Sequence, residues 1–131
     1  MEKYGYVALV SLLSLLVYAW MSIRVGQARM KSGVHAPAMT GDEGLERAIR
    51  AHLNTLEWLP IFLVSLWLFA LFWNPLVAAG AGVVWVLGRI AYAIGYSASP
   101  NKRAPGFMIQ ALATAVLLFG ALGRIVWSLA V

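Results

Sequence analysis

Four long apolar runs, broken by short polar interruptions, dominate the chain. They extend from Tyr4 to about Ile23, from about Leu53 to Trp73, from Leu76 to about Ser97 and from Pro105 to Val131. Each approaches the roughly 20 mainly apolar residues that a helix needs to cross the hydrocarbon core of a bilayer. With their polar extensions the predicted helices cover about 4–29, 43–73, 76–98 and 105–131, one transmembrane domain over residues 1–131. The expected fold class is therefore an all-α membrane protein, a bundle of four transmembrane helices.

The interruptions carry their own signals. Thr40 or Asp42 can cap a helix whose first turn is acidic, so the second helix begins near Glu43, before its apolar stretch. Asn74-Pro75 is a tight turn that makes helices two and three an antiparallel hairpin, and Ser99-Pro100-Asn101 ends helix three in the same way. Pro105 suits the first turn of helix four. Gly80, Gly82 and Gly88 read as points of close helix packing.

Composition sharpens this picture: 62% hydrophobic and 11% charged residues exclude a soluble fold. The net charge of +5 could suggest nucleic acid, but the cations sit at membrane boundaries, so no nucleic-acid partner is expected. Arg24, Arg29, Lys31, Arg47 and Arg50 flank the first connection, and Lys102 and Arg103 occupy the third. The second connection has no cation. Lys and Arg accumulate in short cytoplasmic loops, so loops one and three are expected in the cytoplasm and both termini opposite. The absence of cysteine excludes disulfides and a cysteine nucleophile. His35 and His52 lack the spacing of a metal pair, and no metal site is expected.

Candidate chemistry lies in two polar stripes. Arg47, Arg50, Asn54 and Glu57 follow spacings of three, four and three, which places them on one face of helix two. Arg89, Tyr92 and Tyr96 line one face of helix three by the same rule. A charge inside a bilayer costs about 2.5–3.5 kcal/mol on insertion scales, and mutual neutralisation of Glu57 and Arg89 would explain only two of these groups. Arginine forks bind carboxylates, glutamate accepts from ammonium, and a tyrosine or arginine stabilises an oxyanion or thiolate. That inventory fits a peptide-like zwitterion with more than one carboxylate, next to apolar walls able to hold a greasy second reactant.

These residues also carry a resemblance. Glu46-Arg47, Arg50-Ala51-His52-Leu53-Asn54, Glu57 and Pro60, followed by Gly88-Arg89, Tyr92, Gly95-Tyr96 and Arg103-Ala104-Pro105, resemble the membrane-associated proteins in eicosanoid and glutathione metabolism, the MAPEG family, over nearly the whole chain. The resemblance implies a homotrimer with glutathione as co-substrate, bound in clefts between subunits, and membrane lipids around it. It implies that Arg50, Asn54, Glu57, Tyr92 and Tyr96 of one subunit hold glutathione, with Arg29 and His52 reaching in from a neighbour and Arg89 supporting the site. Arg103 matches the arginine that holds the sulfur as thiolate. Met30 replaces a second arginine of the leukotriene-forming member, which speaks against that activity, and Trp58 replaces its tyrosine, which removes one hydroxyl contact to glutathione.

The implied function is a membrane-bound glutathione transferase, with glutathione peroxidase activity as an option, acting on lipophilic electrophiles or lipid hydroperoxides. Two rivals stand beside it. One is a non-catalytic lipid-binding or scaffold protein on the same fold; the other is a small proton-coupled transporter built on Glu57.

Overall fold

The computed structural model describes residues 2–131. A single 3-10 turn, Glu2–Tyr4, leads into α1 (Gly5–Ser32), which is followed by α2 (Glu43–Phe72), α3 (Pro75–Ala98) and α4 (Ala104–Ala130). All four of these helices are long and apolar enough to span a bilayer. In hydrocarbon every backbone amide needs a partner within the protein, and a helix supplies almost all of them within its own segment.

The ends are set by local chemistry. Asp42 accepts a hydrogen bond from the Leu45 amide at 2.9 Å and caps α2, while Asn74 accepts from Leu76 and Val77 at 2.8 and 3.1 Å and caps α3. Helix α1 runs about one turn beyond its expected end near residue 29. Arg29 and Lys31 favour its last turn electrostatically. It stops at Gly33, whose left-handed φ of 75° lets its amide close on the Arg29 carbonyl at 2.9 Å. The first connection is correspondingly short, residues 33–42.

α2 and α3 form a central hairpin that packs against both flanking helices, α1 and α4. Its interior holds Phe62 stacked on Trp85 at 4.1 Å between ring centroids, surrounded by Val10, Met21, Leu66 and Leu117. The exterior is apolar as well: Leu12, Leu16, Leu71, Leu76, Leu112 and Phe119 are exposed, as a lipid-facing surface requires. Interior hydroxyls are satisfied locally, Thr55 donating to the Ala51 carbonyl and Thr114 to that of Gln110.

The closest approach joins α3 to α4. A Cβ added at Gly88 would lie 2.9 Å from the Gln110 amide nitrogen and 3.1 Å from the Gly106 carbonyl; one added at Gly106 would lie 2.7 Å from the Gly88 carbonyl oxygen. Gly82 is likewise pressed by Val10 and Leu66. Gly80 meets nothing within 4 Å, so the packing role expected for it is not found within this chain. Replacing Gly88 or Gly106 by alanine should overpack the contact and cost roughly 1–3 kcal/mol. Thermal unfolding in detergent should show both variants melting below the parent, with Gly80→Ala unchanged or higher. Equal behaviour of the three would remove the contact from the determinants of the fold.

Candidate functional site

Packing Gly106 on Gly88 places the start of α4 over the end of α3. The turn Pro100–Arg103 then folds against Gly95, where an added Cβ would clash with the Lys102 carbonyl. Arg103 therefore stands beside the tyrosines of α3, its guanidinium carbon 5.0 Å from the Tyr96 ring centroid. Tyr92 and Tyr96 meet edge to face at 5.7 Å.

Between these groups and α2 lies a cleft of about 430 Å³. Arg50 and Asn54 line it from α2, Tyr92 and Tyr96 from α3, and Arg103 from the turn before α4. Ala104, Phe107 and Met108 complete the wall. Phe107 was not among the expected residues, although it follows Arg103 by one helical turn. Its ring meets Trp58 edge-on at 5.6 Å and leans on Tyr92 at 6.1 Å. One side of the cleft is thus cationic and hydroxylic, and the other aromatic. A smaller cleft of about 300 Å³, lined by Arg47, Arg50 and Tyr96 among others, adjoins it toward the helix ends.

Arg89 does not line this space. It is fully buried behind it, and its Nη1 donates to Asn54 Oδ1 at 2.8 Å and to Thr55 Oγ1 at 3.2 Å. Its guanidinium carbon also faces the rings of Tyr92, Trp85 and Phe107, at 4.8, 5.7 and 5.9 Å. Such π faces favour a desolvated cation by about 2 kcal/mol or more. Among the described residues the only salt bridge joins Arg47 to Glu43 at 3.4 Å, so Glu57 and Arg89 do not neutralise one another. Thr55 as an Arg89 partner left no trace in the charge pattern, because a lone threonine beside Asn54 reads as ordinary packing.

The remaining expected residues lie elsewhere in the single chain. Glu57 is exposed on the outer face of α2, outside the cleft lining. His52 points away from Asn54 and stacks on Tyr18 of α1 at 4.5 Å. Arg29 donates to the Ala38 carbonyl in the first connection at 2.7 Å. The five residues Arg50, Asn54, Tyr92, Tyr96 and Arg103 are brought together; Arg29, His52 and Glu57 are not.

What this arrangement can do follows from its donors. Two guanidinium forks at one rim suit carboxylates, and a cation with a phenol beside it can hold a thiol as its anion. The profile of the MAPEG family matches residues 7–123. The chain is 40% identical over 117 residues to microsomal glutathione S-transferase 2 of Homo sapiens, covering 88% of this chain and 80% of that protein. It is 35% identical over 102 residues to leukotriene C4 synthase of Bos taurus, covering 78% and 68%. An uncharacterized protein of Synechocystis sp. is 48% identical over 122 residues, covering 93% and 89%.

Proposed function

Because this chain belongs to the MAPEG family, we propose that it is an integral membrane glutathione transferase that holds glutathione as a thiolate for attack on a lipophilic electrophile or lipid hydroperoxide. The observation that carries this reading is the meeting of Arg103 with Arg50, Asn54, Tyr92 and Tyr96 around one cleft. Similarity to a microsomal glutathione S-transferase supports it, and the retained cations weigh against a scaffold without chemistry.

Glutathione enters with a carboxylate toward the guanidinium group of Arg50 and its sulfur between Arg103 and the tyrosines. A free thiol has a pKa of about 8.5 and is mostly protonated at neutral pH. Lowering it to about 6.5 takes roughly 2.7 kcal/mol of preferential stabilisation of the anion, within reach of a charge-assisted hydrogen bond plus Coulomb attraction. The thiolate then attacks the electrophilic carbon, forming the C–S bond as the leaving group or strained ring bond breaks. With a hydroperoxide it attacks the outer oxygen instead, forming the sulfenic acid as the alkoxide leaves and takes a proton from solvent; a second glutathione thiolate then displaces hydroxide from the sulfenic acid, giving glutathione disulfide, and the hydroxide is protonated to water. Phe107, Met108 and Trp58 provide the apolar side for the second reactant.

The working unit in this proposal is a homotrimer. Glu57 lies four residues into the apolar run that begins near Leu53, about 6 Å along the axis, and an exposed carboxylate within that run needs a polar neighbour. Arg29 and His52 of an adjacent subunit would supply cation and imidazole there, completing the glutathione site. Native mass spectrometry should release three chains, and a monomer that still binds glutathione would exclude a shared site.

Seven of the ten cations, Arg24, Arg29, Lys31, Arg47, Arg50, Lys102 and Arg103, gather at the end that holds the first and third connections, so we place this end in the cytoplasm. Single cysteines from Ser32→Cys and Asn101→Cys should react with an impermeant maleimide only from that side. Labelling from the other face of intact cells would reverse the topology.

Arg103→Ala should still take up glutathione but lose the ultraviolet thiolate band near neutral pH. Since the bound thiol would return toward its unperturbed pKa, conjugation should recover as pH rises above about 8.5. Arg103→Lys should retain part of the signal, keeping charge without the fork. A parental thiolate band and pH profile in Arg103→Ala would move the role to Tyr92 or Tyr96. Asn54→Ala and Glu57→Ala should raise the glutathione concentration for half-saturation more than they lower turnover at saturation.

A further inference from the structure

The buried contact between Arg89 and Asn54 fixes more than shape. A guanidinium carries only donors, so the atom of Asn54 that faces it has to be the carboxamide oxygen. With Oδ1 engaged from behind by Arg89, the end of Asn54 left for the cleft is its Nδ2 amide, which carries two donors. A free asparagine can turn either end of its carboxamide toward a ligand; this one cannot without setting N–H against N–H in a dry interior, a loss comparable to a buried unmade hydrogen bond. Arg89 is itself fixed: Thr55 takes a second bond from the same nitrogen, and the Tyr92, Trp85 and Phe107 rings surround the guanidinium.

We propose that Arg89 is a positioning residue that turns the donor end of Asn54 to the cleft, so that the ligand group seated against its Nδ2 is an acceptor, a carboxylate or an amide carbonyl. This rests on the reading of the cleft as a glutathione site, and it narrows how that ligand lies. Together with Arg50 and Arg103, Asn54 makes the polar wall rich in donors. The ammonium of a peptide-like zwitterion is then better received at a carboxylate such as Glu57, outside this wall.

The test has a ligand arm and a ligand-free arm. Asn54→Asp preserves the side-chain shape and offers Arg89 a carboxylate, but it turns the cleft side from donor to acceptor. Isothermal titration of the detergent-solubilised protein with glutathione should show Asn54→Asp binding at least about fivefold more weakly than Asn54→Ala, within the range of couplings between groups in contact. Binding by Asn54→Asp as tight as the parent would mean that the ligand presents a donor, and would overturn the proposal. In a double-mutant cycle, Arg89→Met should abolish most of the effect of Asn54→Ala on affinity, whereas independent, additive losses would show that Arg89 does not act through Asn54.

The chain has three asparagines, Asn54, Asn74 and Asn101, so labelling asparagine with nitrogen-15 gives a sparse carboxamide spectrum without any ligand. The Asn54 signals should move in Arg89→Met far more than those of Asn74 and Asn101, and Arg89→Lys, which can still donate, should bring them and the glutathione affinity back part of the way. Asn54 signals that stay in place in Arg89→Lys and Arg89→Met would sink the assignment. Should the parent protein fail to take up glutathione, the functional reading falls, while the spectrum still decides whether Arg89 sets Asn54.

Discussion

Helices α3 and α4 touch backbone to backbone at Gly88 and Gly106, and most of the site is a consequence of that contact. Small residues allow close approach where no hydrophobic force between helices exists, because lipid tails are as apolar as leucine. Here the approach is used near one end of the hairpin. It draws the Pro100–Arg103 turn down onto Gly95 and sets Arg103 beside Tyr96. A wider crossing would leave the same side chains on the same helices without a cleft of this size between them.

Polar residues of the interior sort into two kinds. Hydroxyls such as Thr114 return their hydrogen bond to their own helix and cost little. Arg89 has no such escape. Its charge is held by an amide oxygen, a hydroxyl and three aromatic rings, with no carboxylate among the described residues in a salt bridge to it. Breaking such a group away from its partners is strongly destabilising, whereas the intact arrangement gives shape and orientation more than net stability. The bundle retains a costly cation directly behind the wall that lines the cleft.

The fold was largely readable in advance, because apolar run length and helix-end signals are local properties: of the two residues expected to cap α2, Asp42 does so, and Asn74, expected in a tight turn, also caps α3. Stripe periodicity put Arg50 with Asn54 and Tyr92 with Tyr96 on one face each, and the two faces line one cleft. Periodicity could not say which member of a stripe faces the cleft and which lies behind it, so Arg89 and its bond to Thr55 emerged only in three dimensions. Arg103 was anticipated through resemblance, since a turn residue has no helical phase to read. Glu57, His52 and Arg29 mark a different limit: the resemblance assigned them to the same site, and the single chain leaves them outside its cleft. The end of α1 was misjudged because Gly33, and not the loss of hydrophobicity, stops it.

A second, shallow groove on the bundle is wholly apolar, lined by Ile109, Leu112 and Val116 of α4 against Ala81 and Val84 of α3. The second reactant proposed above is lipophilic, and a compound that meets the protein at such a surface comes from the membrane and not from water. Its effective concentration is then its mole fraction among the lipids, so that a compound present at trace level in the cytosol is met at the density set by its partition coefficient. Saturation would be governed by the ratio of substrate to lipid, and adding inert lipid to an assay would slow the reaction by dilution in two dimensions while the bulk volume stayed the same.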